Sequence, residues 1–172
     1  MAKPTLVLVH GSWHSPEHFE LLIPLLSRNG YKCVAVGLPS TQSPDLPPRT
    51  LANDTAAVRD AVVAELKQGN DVVVVAHSYG GAPSNNALKG LDVKSRKAEG
   101  HESAVTALVL LCAIPLEAGK SFIGTLGGKP HPVHDLTKSK DFVYVASPGP
   151  GHYFYNDLSK EMVDKYLSLI HI

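Results

Sequence analysis

The sequence predicts an α/β protein built on a parallel sheet with helices on both faces. Its strand-like runs, such as TLVLVH at 5–10 and VVVVA at 72–76, are too continuously apolar for strands with one solvated face. Amphipathic segments of helical length separate these runs. Such alternation is typical of crossover units in a parallel sheet. The chain of 172 residues is long enough for one domain with a substantial core.

The predicted elements follow this alternation along the first two thirds of the chain. Strands are expected at 5–10, 31–39, 72–77 and 104–113, and helices at 16–29, 53–68, 81–90 and 158–169. Ser15 and Pro16 suit the start of the first helix. Pro24 should kink or split that helix, unless the helix begins late enough to place Pro24 in its first turn. Residues 39–48 and 92–103 are predicted loops, and 114–151 is predicted to be irregular apart from a short strand at 143–146.

The charge balance argues against several classes of partner. Sixteen basic and sixteen acidic residues give a formal net charge of zero, and no dense Lys/Arg cluster offers a nucleic-acid or membrane surface. No apolar stretch reaches membrane-spanning length. We therefore expect a soluble cytoplasmic protein that binds small molecules, with Cys33 and Cys112 as buried free thiols. The pair His131 and His134 lacks a third ligand, so no metal or cofactor is expected.

The third predicted strand ends in a motif that indicates a catalytic serine. The sequence AHSYG at 76–80 places Ser78 between small residues at a turn from strand to helix. In a nucleophile elbow this turn is strained, and it lifts the serine hydroxyl above the edge of the sheet. Gly80 supplies the small residue that the turn requires. His77 is expected to point away from the nucleophile and to be a hydrogen-bonded histidine in the core or behind the site.

The first strand ends in HGSW at 10–13, which is suited to an oxyanion hole. Acyl transfer needs two backbone N–H donors, one after the nucleophile and one from the loop after the first strand. We expect these donors to be the amides of Tyr79 and Ser12. Gly11 would let the loop approach Ser78 closely, and His10 is interpreted as a structural residue that hydrogen bonds the loop backbone.

Three segments together resemble the α/β-hydrolase superfamily, in the branch of small-molecule esterases, plant-type methylesterases and hydroxynitrile lyases. They are the run from LVLVHGSW to VAVGLPS, VVVVAHSYGGA, and ALVLLCAIPLEAG, so the resemblance covers about Thr5 to Gly119. It implies a pocket near His14 and Phe19 and a Ser-acid-His order along the chain. Gly11 and Tyr79 stand where the lyases tend to have a hydroxyl residue and a cysteine, which favours hydrolysis.

The resemblance also implies that late elements of the core are missing. Residues 1–119 are interpreted as the N-terminal half of the core and 120–172 as part of a cap, so the catalytic acid and histidine would lie outside this chain. The remaining histidines and aspartates are weak substitutes, His152 being the least unsuitable; they are His101, His131, His134, His152, His171, Asp135, Asp141 and Asp157. The last six residues, LSLIHI, match the translation of a transposase adapter used in DNA library preparation, which suggests a non-native end.

The sequence therefore predicts a serine hydrolase that acts on a small carboxylic ester. In this interpretation the chain itself is weakly active or inactive. The alternatives are a non-catalytic protein that binds a small apolar ligand, and a hydroxynitrile-lyase-like activity on the same fold. Without later strands, the strand at 104–113 is expected to form an open, apolar sheet edge.

Overall fold

The main sheet has four parallel strands, as the sequence predicts. The computed structural model describes residues 2–41, 47–113, 115–117 and 119–170. The strands are β1 (Thr5–Val9), β2 (Cys33–Val36), β3 (Val72–His77) and β4 (Val105–Leu111). Their order across the sheet is β2-β1-β3-β4. β1 is thus central, with Leu6 opposite Cys33 on one side and Val73 on the other.

Helices connect the strands and lie on both faces of the sheet. The first four are α1 (Leu22–Arg28), α2 (Leu51–Lys67), α3 (Gly81–Ala87) and α4 (Val93–Ala98). The chain steps one way from β1 to β2 and back the other way to β3. Right-handed crossovers therefore place α1 and α2 on opposite faces. This arrangement confirms the predicted fold class.

The principal core lies between the sheet and α2. Val58 and Val62 of α2 are completely buried against side chains of the central strands. The strand residues in this cluster are Val7, Val9, Val36, Val72, Val74 and Ala76. Burying each of these valine side chains contributes on the order of 1.5–3 kcal/mol. The core thus fixes the carboxyl ends of β1 and β3, where the candidate site lies.

The first predicted helix is split, and Pro24 lies in a first turn. A 3-10 helix spans Pro16–Phe19, with a capping box between Ser15 and His18. α1 begins only at Leu22, so Pro24 lies in its first turn. A backbone N–H at this position would have no acceptor within the helix, so the proline removes no helical hydrogen bond. The late start therefore accommodates the proline.

The predicted loop at 92–103 is wrong, because it contains α4. The Asp92 carboxylate accepts a hydrogen bond from the Ser95 amide and caps this helix. α4 has no buried residue, so it offers no apolar periodicity to detect.

The second half of the chain is more regular than the sequence predicts. It contains α5 (Phe122–Thr125), a two-stranded antiparallel sheet of β5 (His134–Asp135) and β6 (Tyr144–Val145), α6 (Pro150–Phe154) and α7 (Lys160–Leu167). β6 and α7 fall within the predicted strand and helix. Residues 42–46 of the predicted loop at 39–48, His171 and the final Ile172 lie outside the described residues.

β4 lies at the edge of the main sheet and leaves apolar side chains exposed. Val109 is 38% exposed and Leu111 is 45% exposed. The predicted burial of both cysteines is wrong for Cys112, which follows β4 and is exposed, while Cys33 is half-buried. No helix within the described part of the chain is long and apolar enough to cross a membrane.

Candidate active site

Ser78 occupies a strained turn at the carboxyl end of β3. Its φ is +51°, a left-handed conformation that residues other than glycine rarely adopt. A 3-10 turn, Ser78–Gly80, follows directly and leads into α3. Strain of this kind costs on the order of 1–3 kcal/mol and is concentrated at functional sites. This backbone is the one that a nucleophile elbow requires.

Two glycines allow the close packing around Ser78. A Cβ on Gly80 would lie 2.5 Å from the His10 carbonyl oxygen and 2.8 Å from that of Val9. A Cβ on Gly11 would lie 3.1 Å from the Ser78 Cβ. The turn after β3 and the loop after β1 are therefore in contact at two positions: a side chain does not fit at Gly80, and at Gly11 it would crowd Ser78.

His10 fixes the loop that leaves β1. Its Nδ1 donates a hydrogen bond to the Gly11 carbonyl at 2.9 Å, and its Nε2 accepts one from the Leu38 amide at 3.2 Å. Burial lowers the pKa of His10. A neutral ring with both nitrogens occupied by backbone partners orients Gly11 and Ser12 and is not available as a general base.

His14 links the same loop to the second half of the chain. Its Nδ1 lies 2.7 Å from the Ser12 carbonyl oxygen, and its Nε2 lies 3.0 Å from the Tyr155 hydroxyl. The carbonyl can only accept, so Nδ1 carries the proton and Nε2 accepts from Tyr155. Burial lowers the pKa of His14 to about 4. His14 thus fixes the Ser12 carbonyl group through this hydrogen bond. It is not among the residues that line the cavity described below.

His77 is not the core histidine that the sequence predicts. Its side chain is exposed, because residues Val73, Val75 and His77 of β3 face away from the principal core. It makes no side-chain hydrogen bond among the described residues. Its Nδ1 lies 3.2 Å from the position that a Cβ on Gly11 would take. His77 therefore lies beside the contact between the two loops, on the face of the sheet opposite the principal core.

A buried carboxylate supports the residue after Ser78. Asp54 of α2 is completely buried, and its Oδ2 accepts hydrogen bonds from the Tyr79 hydroxyl at 2.7 Å and the Ser40 hydroxyl at 2.5 Å. Its Oδ1 accepts from the Ser40 amide at 2.8 Å. Burial and the nearby Asp54 carboxylate raise the pKa of Tyr79. Asp54 was not predicted as a site residue. It lies four residues before Val58 and eight before Val62, and therefore on the same face of α2 as these buried valines.

A mostly apolar cavity of about 380 Å³ opens beside Ser12 and Tyr79. Ser78 is not among its lining residues, although the adjacent Tyr79 is. Aromatic residues from both halves of the chain form much of the wall: Trp13, Tyr79, Phe122, Phe142 and Tyr144. Such a cavity suits a small ligand with an apolar group.

Of the histidines and aspartates considered as substitutes, His134 and Asp141 line this cavity and His152 does not. The His134 Nδ1 is buried and has no hydrogen-bond partner among the described residues. No described histidine forms a hydrogen bond with the Ser78 hydroxyl. Within the described ranges, no group of three His, Cys, Asp or Glu residues could hold a metal ion.

The chain belongs to the alpha/beta hydrolase family, whose sequence profile matches residues 6–168. The alpha/beta hydrolase nvfD of Aspergillus novofumigatus is 34% identical over 172 residues, which are 99% of this chain and 67% of that protein. The probable hydrolase R7 of Phoma sp. is 37% identical over 130 residues, or 75% and 50% of the two chains. The match thus spans about two thirds of one relative and half of the other.

Solved structures share the fold at low sequence identity. Polyneuridine aldehyde esterase superposes with a TM-score of 0.69 at 18% identity, over 97% of this chain and 68% of that one. The methylesterase MES16 from Arabidopsis gives 0.63 at 20%, over 98% and 66%. Tomato methylketone synthase I, in complex with 2-tridecanone, gives 0.67 at 14%, over 99% and 67%. At these identities the likeness establishes the fold alone.

Proposed function

We propose that this chain carries the nucleophile and the oxyanion hole of a hydrolase that cleaves small carboxylic esters. Ser78 would attack the ester carbonyl, and the backbone amides of Ser12 and Tyr79 would bind the developing oxyanion. The observation that carries the proposal is the φ of +51° at Ser78 directly after β3. Family membership supports hydrolysis in general.

The general base and its acid belong, in this proposal, to the whole protein outside these residues. Nucleophilic serine needs a base within about 3 Å that a third group orients. The described histidines do not bond Ser78, and His10 and His14 are already held by backbone carbonyls. A Ser-His-acid mechanism would then be completed by a loop acid and a histidine that pack against the Ser78 end of the sheet. Residues 120–172 would serve as part of a cap over the cavity.

The test compares Ser78→Ala with Ser84→Ala in the protein encoded by the complete reading frame. Ser84 is a buried serine on α3 whose hydroxyl has no partner among the described residues, so it is a matched control. Hydrolysis of short-chain nitrophenyl esters should fall by roughly 10⁴-fold or more in S78A. S84A should keep wild-type rates. Retained activity in S78A overturns the nucleophile assignment.

Ligand binding without catalysis is a second candidate, which the apolar cavity favours. In that case an apolar ester and its non-hydrolysable ether analogue bind equally well, and neither is consumed. Isothermal titration with both compounds distinguishes the two functions. Turnover of the ester, lost in S78A, excludes the binding protein, whereas equal binding without turnover excludes the hydrolase.

A further inference from the structure

Burial of the Asp54 carboxylate destabilises the fold, so its position in the core indicates that it has a function there. A carboxylate removed from water is strongly destabilising without hydrogen bonds, and apolar replacements of buried charges are often neutral or stabilising. Asp54 is completely buried on α2, among the valines of the principal core. Among the described residues, it accepts three hydrogen bonds from two residues, Ser40 and Tyr79. These two partners indicate what the carboxylate organises.

Both partners of Asp54 belong to segments that form the site. Tyr79 follows Ser78 in the turn after β3, and Ser40 lies in the 3-10 turn Pro39–Thr41 after β2. Ser40 and Tyr79 line the cavity, whereas Asp54 does not. Asp54 therefore reaches the cavity only through the groups that it binds, and it cannot contact a ligand there directly.

The Tyr79 side chain is held from two sides. Its hydroxyl donates to Asp54 at 2.7 Å, and its ring packs edge-on against Phe122 with centroids 5.9 Å apart. A tyrosine side chain has only two rotatable bonds, so fixing its tip and its ring restricts the backbone from which it projects. That backbone carries the amide directly after the strained Ser78.

We propose that Asp54 is a positioning residue that, by anchoring the Tyr79 hydroxyl, keeps the Tyr79 amide aimed at the oxyanion. The inference rests on the proposed function only in assigning that amide to the oxyanion. Ser40 donates two further hydrogen bonds to the carboxylate and joins the turn after β2 to the same anchor. Asp54 takes no part in proton transfer.

The first test measures backbone hydrogen exchange in the chain itself and needs no turnover. Tyr79→Phe removes only the phenolic oxygen, and Asp54→Asn keeps the size of the side chain without its charge. Each should accelerate exchange of the Gly81 amide, which donates to the Ser78 and Tyr79 carbonyl oxygens and closes this turn, about tenfold. Exchange in β1 should stay unchanged, since local openings are independent of global unfolding. Uniformly faster exchange means a merely structural role and overturns the proposal. If D54N fails to fold, Y79F decides.

The second test measures steady-state kinetics in the complete protein. Y79F and D54N should lower kcat roughly 10- to 100-fold, because misplacing an oxyanion donor weakens binding of the transition state more than that of the substrate. KM should change little, and the double variant should be no slower than the worse single variant. Tyr153→Phe, which removes an exposed hydroxyl bond to the Ser147 carbonyl, is the control.

The kinetic outcomes separate this inference from the proposed function. If Y79F and D54N keep the wild-type kcat while S78A is inactive, the positioning role of Asp54 is wrong and Ser78 remains the nucleophile. A raised KM at unchanged kcat also overturns the positioning role, since the cluster would then bind substrate. If S78A stays active, the proposed function fails, and the exchange measurement alone decides whether Asp54 orders the turn.

Discussion

The Trp13 indole Nε1 donates a hydrogen bond of 2.7 Å to the carbonyl oxygen of Val143. Trp13 has a φ of +62°, so the loop after β1 adopts a strained conformation where it meets the second half of the chain. The Trp13 ring also packs against Phe154 at 5.6 Å and His134 at 5.7 Å. One residue thus couples the Ser12 loop to three separate segments of the proposed cap.

Trp13→Phe should loosen these segments without unfolding the main sheet. The variant removes the indole donor, which contributes about 1 kcal/mol, and reduces the ring area. We expect the free energy of unfolding to fall by about 1–2 kcal/mol. Hydrogen exchange should become faster in residues 143–155 and stay unchanged in β1. Equal acceleration in both regions would contradict the assignment of Trp13 to this junction.

Gly80→Ala should be far more damaging than an alanine at another helical glycine. The new Cβ would meet the carbonyl oxygens of His10 and Val9 at 2.5 and 2.8 Å, and neither backbone can move without disturbing β1. We expect a loss of about 2 kcal/mol or more in the free energy of unfolding.

Gly151→Ala is the matched control for this prediction. A Cβ on Gly151 would make ordinary contacts at 3.6 Å with Val163 and 3.8 Å with Leu167. Alanine in α6 should therefore be neutral or slightly stabilising. Urea denaturation of both variants provides the comparison, and similar stabilities for the two would show that the turn after β3 can relax.

Stability should fall on acidification, in part through His14. The folded pKa of about 4 lies below the value of 6.5 for an exposed histidine, so between these values only the unfolded chain binds the proton. Stability is complete above pH 6.5 and decreases toward pH 4, by at most about 1.4 kcal/mol per pH unit from this group. The pKa values of His10, His18 and His134 are also lowered by burial and act in the same direction.

His14→Gln isolates the contribution of His14. Glutamine can still donate to the Ser12 carbonyl and accept from Tyr155, but it does not titrate. Urea unfolding at pH 7 and pH 5 should show a smaller loss of stability in H14Q than in wild type. His101→Gln, at an exposed loop position, should behave as wild type. An unchanged loss in H14Q would mean that His14 titrates normally in the folded state.

The edge strand should promote self-association of this chain. Val109 and Leu111 are exposed on β4, which among the described residues pairs with one strand, β3. Replacing both with threonine keeps β-propensity and should reduce concentration-dependent association in sedimentation velocity experiments. Val93→Thr, which changes an apolar residue 49% exposed on α4, is the control. If the double variant in β4 and Val93→Thr reduce association equally, the chain associates through nonspecific apolar contacts rather than through β4.

The sequence predicts the four main strands because each is an almost uninterrupted apolar run. It also places Ser78 and Gly11 near each other, since the carboxyl ends of parallel strands share one edge of the sheet. α4 was not predicted because none of its residues is buried. The only sequence signal for this helix is the N-cap, in which Asp92 accepts a hydrogen bond from the Ser95 amide.

The Asp54–Tyr79 bond could not be predicted, because it joins residues on different elements through side-chain tips. A carboxylate on an otherwise apolar helical stripe was nevertheless a visible signal. The position of His134 beside the cavity depends on a pairing of only two residues per strand, His134 with Val145 and Asp135 with Tyr144. Such short ladders leave no periodic pattern in a sequence.

The strand order has a consequence for the synthesis of the protein. β1 leaves the ribosome first, yet its second neighbour, β3, pairs from Thr5 opposite Val72 to Val9 opposite Ala76. The nascent chain must therefore keep one edge of β1, all of whose residues are buried in the folded protein, unpaired until β3 has emerged. Contacts so distant along the chain slow folding and lengthen the time for which an aggregation-prone edge is accessible. This protein should consequently depend on chaperones during translation more than a helical protein of equal size.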